Sequence, residues 1–185
     1  MAEGFEELND DLRQFIAEQH MFFVATAPLA GDGHINLSPK GLDSFRALSP
    51  RQVGYLDLPG SGVETIAHVR ENGRIVIMLC AFAGRPRILR LYGRGRIVEP
   101  IDAEWQELSS QFPSYSTPRS VIVVDLERIA DSCGYGVPNY EYTGDRSQLV
   151  DYCQRKGPEK IHSYKAEHNR ASIDDLPGLR EFAAG

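Results

Sequence analysis

The apolar positions of this chain change from helical to strand-like spacing soon after its N-terminus. Phe5, Leu8, Leu12, Phe15 and Ile16 recur every three or four residues, which predicts an amphipathic helix over residues 5–19. Six later segments are rich in apolar and β-branched residues and are bounded by turns, which is typical of strands. These predicted strands are 21–29, 33–41, 51–58, 74–82, 87–99 and 119–132.

Few helices interrupt this series of strands. One is predicted directly after the turn at Ser61, and a short one over 103–112 with Asp102 as its cap. The strand at 74–82 is apolar on both faces and should be central and buried. Because strands and helices do not alternate, the pattern favours a mainly β fold with helices (α+β), a small antiparallel barrel, over a doubly wound sheet.

The pattern becomes helical again towards the C-terminus. A helix should begin near Asp145 and end at Gly157-Pro158, and a second should reach about His168 before an irregular tail. The whole chain is expected to form a single domain. Its barrel would span about 21–132, and a helical extension would span about 140–185.

The segment GHINLSPKG separates polar from apolar side chains, because successive residues of a strand point to opposite faces. Ile35, Leu37 and Pro39 fall on one face, and His34, Asn36, Ser38 and Lys40 on the other. Proline cannot donate a ladder hydrogen bond, so this strand should fray or lie at an edge, leaving Lys40 free to reach an anion. Asn36 could then pair with the edge of a planar ring, and Ser38 with a phosphate or a ring atom. A merely solvated polar face is the alternative.

A second candidate is GSGVET, residues 60–65, where a strand leads into a helix. Ser61 and Glu64 have capping-box spacing, and the free N–H groups of the first turn suit a phosphate. The hydroxyls of Ser61 and Thr65 could add donors. A well-capped helix with nothing bound is the alternative. As a dinucleotide fingerprint the segment is weak, since the last glycine of GxGxxG is absent.

Arginines form a third basic element. Arg90, Arg94 and Arg96 share one face of their strand if no bulge intervenes, although Gly93 and Gly95 predict a bulge or a bend there. These side chains could be solvated, could pair with acidic residues of a neighbouring strand or subunit, or could contact a ligand.

The three cysteines have no CxxC spacing, and free thiols in a reducing cytoplasm are expected. Cys80 lies within an apolar strand and should be inert. Cys133 precedes Gly134 and Tyr135, which would allow close backbone approach and ring stacking. A plain turn is the simpler interpretation of that segment.

Composition narrows the function classes. A net charge of −6 over 185 residues disfavours a nonspecific nucleic-acid or anionic-membrane binder. No apolar run is long enough to span a membrane, and the acidic N-terminus does not resemble a signal peptide. The chain has no HExxH motif, and no metal site is predicted. It also has no GxSxG or GxxxxGK[ST] motif, so the sequence does not indicate a hydrolase of that type or a P-loop NTPase.

The order of these segments resembles the pyridoxamine 5′-phosphate oxidase-like family of FMN-binding split barrels. In that family a strand ending in Lys, a further strand, a Ser-containing turn and a helix together hold the FMN phosphate. NLSPKG and LDLPGSGVET match this layout, and SVIVVDLERIADSCGYGVP continues the likeness. The tail SYKAEHNRASIDDLPGL is similar to that of one subgroup, and it lacks the Arg- and His-bearing segment with which the true oxidases grip pyridoxamine phosphate.

The resemblance implies an antiparallel split β-barrel and a specific set of cofactor contacts. Lys40 would pair with the phosphate, with Ser61, Gly62 and Thr65 at the phosphate end and Asn36 and Ser38 along the flavin. It also implies a homodimer with FMN at the interface, where Cys133, Tyr135 and Val137 of the partner would complete the site.

Three functions remain open at this point. The first is an FMN-dependent oxidoreductase acting on a small molecule, and the second is a non-enzymatic protein that binds or senses flavin, F420 or haem. The third is a dimeric scaffold without a cofactor.

Overall fold

The computed structural model describes residues 3–182, and its main element is an antiparallel sheet curled into a half-barrel. Its strands are β1 Glu3–Phe5, β2 Phe22–Thr26, β3 Asn36–Lys40, β4 Phe45–Ser49, β5 Gln52–Asp57, β6 Arg74–Cys80, β7 Ile88–Val98 and β8 Ser120–Ser132. Its helices are α1 Asp10–Ala17, α2 Glu64–Asn72, α3 Trp105–Ser109 and α4 Gln148–His168. The strand order is β3-β2-β6-β7-β8-β5-β4, with β1 added beside β8. The predicted α+β class and antiparallel split barrel are confirmed.

The long strand β8 organises the sheet. It pairs with β7 on one side and with both β5 and β1 on the other. Ile122 and Val124 enter the large core inside the curl, which also contains residues of α1 and α2. Val121 and Val123 belong to a smaller cluster on the opposite face, beside α3. The strand is therefore apolar on both faces because both of its faces are covered.

Strand β6 is central, as predicted, but only one of its faces is fully buried. Ile75, Ile77 and Leu79 enter the core, whereas Val76 and Met78 are half-buried. Both faces of the sequence segment are apolar, so composition alone did not reveal this difference.

The predicted helix over residues 5–19 begins too early. Phe5 belongs to strand β1 and pairs with Ile129, so tertiary pairing overrides the helical spacing there. Helix α1 begins after Asn9, whose side chain accepts a hydrogen bond from the Leu12 amide at 2.9 Å. Strand β4 was also missed, because it is short and its half-buried apolar residues pack against hydrophobic clusters on both of its faces.

Strand β7 runs without interruption, and the irregularity in this part of the sheet lies in β8. Tyr92 pairs with Arg128 and Gly93 with Leu126, so Glu127 of β8 is the extra residue. Gly93 is required by close packing, because a Cβ there would overlap the Asp125 carbonyl.

The arginine face of β7 is used for ion pairs and hydrogen bonds within the chain. Arg94 contacts Glu127 at 3.1 Å, Arg96 contacts Glu104 at 2.9 Å, and Arg90 donates to the Ser132 hydroxyl. Arg94 makes the predicted pair with an acidic residue of a neighbouring strand, whereas Glu104, the partner of Arg96, lies just before α3.

Asp102 does not cap α3 as predicted. Its carboxylate accepts from the Glu99 amide at 2.8 Å, and the helix starts at Trp105 without a side-chain cap. Helix α4 is broken at Gly157, where φ is +74°, so the two predicted C-terminal helices are confirmed as two segments. No helix within residues 3–182 is both long and apolar enough to cross a membrane.

Candidate cofactor-binding site

A cleft of about 340 Å³ lies between β3 and the connection from β5 to α2. Asn36, Ser38 and Lys40 line it, whereas Leu37 on the opposite face of β3 is 66 % exposed. Strand β3 is therefore inverted relative to an ordinary surface strand, with its polar row turned inward and its apolar row outward. The polar face is thus part of a built site rather than a solvated surface.

Lys40 belongs to a charge network at the base of this cleft. Its Nζ lies 3.3 Å from Oδ1 of Asp57, and the other carboxylate oxygen lies 2.8 Å from Nε of Arg119. Asp57 is only 1 % exposed and Arg119 only 5 %. Burial by itself raises the pKa of the Asp57 carboxyl, but Arg119 and Lys40 together hold that pKa below its usual value. Asp57 is thus a buried anion between two cations.

Arg119 also fixes the loop that precedes α2. Its Nη1 donates to the carbonyl of Gly62 at 2.7 Å and to that of Gly60 at 3.3 Å. The fully buried Asn169, from the end of α4, donates to the same Gly60 carbonyl at 2.9 Å. The loop of Gly60, Ser61 and Gly62 is therefore held from behind by one residue next to β8 and one from the C-terminal segment.

The predicted capping box at Ser61 is wrong. Helix α2 starts at Glu64, its N-cap is Val63, and no side chain caps it. The Glu64 side chain instead folds back against Gly62, since a Cβ on Gly62 would overlap a Glu64 carboxylate oxygen. This places a negative charge at the positive end of the helix dipole, within the cleft itself.

Asn36 connects the cleft to a buried polar cluster. Its Nδ2 donates to the hydroxyls of Thr65, at 2.9 Å, and Thr26, at 3.2 Å, while its Oδ1 accepts from Ser38. The Thr26 hydroxyl lies 3.0 Å from Nδ1 of the fully buried His68, whose pKa is lowered by burial. The Asn36 amide hydrogens are thus committed within the protein, and they orient Thr65.

The predicted site residues fall into two groups. Asn36, Ser38, Lys40, Ser61, Gly62 and Thr65 all line the cleft. Cys133, Tyr135 and Val137 form a turn after β8 and do not line it, and Tyr135 is 83 % exposed. Within one chain the structure brings together only the first group.

Arg119 and Asn169 are the site residues that sequence reasoning missed. Arg119 was assigned to a strand as an ordinary terminal residue, and Asn169 lay in a tail without a motif. Their contacts with residues 57–62 span 57 or more positions along the chain, so no local pattern signals them. Among residues 3–182, no cluster of three or more His, Cys, Asp or Glu side chains is arranged to hold a metal ion.

Comparisons with known proteins agree with this architecture. The family model described as pyridoxamine 5′-phosphate oxidase matches residues 8–133. The pyridoxamine 5′-phosphate oxidase family protein ustO of Aspergillus flavus is 38 % identical over 194 residues, covering 95 % of this chain and 77 % of that protein. The crystal structure of HupZ from Group A Streptococcus superposes with a TM-score of 0.53 at 21 % identity, over 72 % of this chain and 99 % of HupZ.

The family match covers strands β2 to β8 and every residue that lines the cleft except Leu149. The relative from Aspergillus flavus extends the likeness over nearly the whole chain. The chain therefore belongs to the pyridoxamine 5′-phosphate oxidase family.

Proposed function

We propose that this protein binds FMN in the cleft between β3 and α2 and acts as a flavin-dependent oxidoreductase on a small molecule. The observation that carries the proposal is the inward polar row of β3, which ends in Lys40 across the cleft from the start of α2. Family membership makes FMN the expected cofactor. When bound, FMN would supply the electron or hydride transfer, and the protein would position and tune it.

The donor groups of the cleft suit a phosphate ester. Lys40 offers an ammonium group, and Ser61 and Thr65 offer hydroxyls. The amides that open α2 have no side-chain cap, so they can donate to an anion. Glu64 opposes such an anion, and its flexible side chain would have to turn away from Gly62 before a phosphate could use those amides.

The ring end would have a different environment. Ser38 lies along β3, and Asn36 would act mainly by holding Ser38 and Thr65 in place. The charged groups lining the cleft are Lys40, Glu64 and Arg119, and Arg119 is committed to Asp57 and to the loop carbonyls. The residues of the cleft would therefore bind and orient FMN, and the substrate would occupy a neighbouring space.

A homodimer is part of the proposal, and the outer face of the sheet supports it. On that face Leu37 pairs with Ala25 and Pro39 with Phe23, and the row continues to Val76 and Met78 of β6. Directly paired residues share a face, so these side chains form an apolar patch over three strands. Such a patch is typical of a protein–protein interface. A partner there would bury it, and its turn at Cys133, Tyr135 and Val137 could then reach the cofactor.

Absorption spectroscopy tests the cofactor. The protein purified from cells or reconstituted with FMN should be yellow, absorb near 450 nm, and release a molecule with the mass of FMN on denaturation. A Soret band would identify haem instead, and a colourless protein that takes up no FMN would contradict the proposal. Photoreduction followed by reoxidation with NAD(P)⁺, a quinone or oxygen would separate an enzyme from a flavin-storing protein, because only an enzyme should be reoxidised faster than free reduced FMN.

Light scattering tests the dimer. The wild-type protein should have twice the 20.6 kDa mass of the chain. Met78→Glu puts a charge into the proposed interface without entering the core, so that variant should be monomeric. Ile101→Glu, a change at an exposed residue elsewhere, should remain dimeric. A monomeric wild-type protein, or a dimeric Met78→Glu, would exclude this interface.

A further inference from the structure

A second and larger cavity, of about 1230 Å³, adjoins the cofactor cleft. The two spaces share Pro39, Lys40, Gly41, Leu42 and Leu149 as common walls. The barrel and its loops form one side of the larger cavity, and the irregular segment 140–146 with the start of α4 forms the other. A molecule bound there would lie directly beside one bound in the cleft.

Aromatic rings from both sides of this cavity pack against one another. His20 and Tyr142 stack in parallel, with ring centroids 3.6 Å apart and an interplanar angle of 7°. Tyr140 packs against Phe82 at 5.5 Å, and its amide donates to the Phe82 carbonyl at 2.9 Å. Tyr140 is nevertheless 63 % exposed, so one side of its ring remains available to an occupant.

The charges of the cavity select against an anion. Its wall contains three carboxylates, Glu18, Glu141 and Asp145, and two cations, Lys40 and Arg146, which leaves a net charge of −1. This net negative charge would therefore repel a phosphorylated or carboxylated molecule, whereas it would not repel a neutral aromatic molecule.

We propose that this cavity binds a planar aromatic molecule that is uncharged or cationic. Aromatic side chains that line a cavity favour planar aromatic ligands, because ring stacking adds to the free energy gained from burying apolar area. Its role as the substrate site rests on the proposed flavin-dependent function, whereas binding itself does not. The charge balance distinguishes this substrate class from pyridoxamine phosphate, which carries a dianionic ester.

A matched set of three probes tests the proposal by equilibrium dialysis. In both the cofactor-free and the FMN-loaded protein, 2-naphthol should bind at least about 3-fold more tightly than decahydro-2-naphthol, which has the same skeleton without aromatic rings. In the FMN-loaded protein, where the phosphate cleft is filled, 2-naphthyl phosphate should bind more weakly than 2-naphthol. Equal binding of the saturated probe, or tighter binding of the phosphate, would overturn the proposal.

Variants of Tyr140 locate the binding. Tyr140→Phe should retain 2-naphthol affinity, whereas Tyr140→Leu, which keeps the apolar bulk, should lose about 3- to 10-fold. Ile101→Ala, an exposed apolar residue outside the cavity, is the control and should bind normally. Unchanged binding by Tyr140→Leu would place the probe elsewhere. If 2-naphthol binds but FMN does not, the cavity proposal stands and the proposed flavin function fails. If FMN binds but 2-naphthol does not, the cavity proposal fails and the proposed flavin function stands.

Discussion

Arg119→Met is expected to lower the free energy of unfolding by about 3 kcal/mol, because it leaves the buried Asp57 carboxylate without its main partner. Asp57 is 1 % exposed, and Lys40, at 3.3 Å, is the only other cation paired with it among residues 3–182. The same change removes the Arg119 donor from the Gly62 carbonyl and leaves the Gly60 carbonyl with the Asn169 amide as its donor. Urea denaturation of the cofactor-free protein at pH 7 measures the effect.

Two further variants test whether the unpaired buried charge of Asp57 causes the loss of stability in Arg119→Met. Arg96→Met removes an arginine from an exposed ion pair with Glu104, and it should cost about 1 kcal/mol or less. The double change Asp57→Asn with Arg119→Met should recover part of the loss, since no buried charge is then left without a counterion. If Arg119→Met is as mild as Arg96→Met, the buried network does not stabilise the fold.

Acidification should reduce the difference in the free energy of unfolding between the wild-type protein and Arg119→Met. The pKa of Asp57 is lowered in the folded wild-type protein, so its contribution is present above the ordinary carboxyl pKa and is lost as the pH falls through the folded value. In the variant, burial without Arg119 raises that pKa, so the carboxyl accepts a proton at higher pH and the cost of the unpaired charge disappears. A difference that stays constant down to pH 4 would contradict this account.

Lys40→Ala is expected to raise the FMN dissociation constant about 10- to 150-fold, equivalent to about 1.5–3 kcal/mol of binding free energy. The reason is the loss of a charge-assisted hydrogen bond to the phosphate at the end of β3. Quenching of flavin fluorescence during titration measures the constant. Because Asp57 keeps Arg119 in this variant, the fold should survive, and urea denaturation can verify that.

Two further variants serve as controls for the effect of Lys40→Ala on FMN affinity. Lys160→Ala removes the same charge from an exposed position on α4 and should leave FMN affinity unchanged. Glu64→Gln removes the carboxylate folded against Gly62 and should tighten binding, because the start of α2 becomes free for the phosphate. Equal affinities for the wild-type protein and Lys40→Ala would exclude Lys40 as a phosphate ligand.

The sequence located much of the sheet but not its irregular parts. Segments rich in apolar and β-branched residues and bounded by turns, such as those that form β5 and β8, were placed close to their observed bounds. Strand β4 is short with apolar residues on both faces, and β1 is only three residues long, so neither gave a clear local signal. The helical spacing from Phe5 was genuine, yet pairing with β8 took Phe5 into the sheet.

The candidate site was predicted in its parts but not in its assembly. Both segments that line the cleft were identified from their own residues, NLSPKG by strand parity and GSGVET by the turn before a helix. The capping box failed because the carbonyls of Gly60 and Gly62 are held by Arg119, which keeps the chain before Glu64 out of the helix. A contact between residues so far apart has no counterpart in local spacing.

The sequence by itself determined that β3 has one polar and one apolar face, since alternation is a property of any strand. Only the tertiary structure decided which face is inside. Pairing with β2 places β3 at the edge of the sheet, with Asn36, Ser38 and Lys40 turned towards the loop before α2. Polar groups can face inward there because partners from distant segments, namely Thr65 and Asp57, satisfy them. That satisfaction depends on where the chain returns, which no short stretch of sequence encodes.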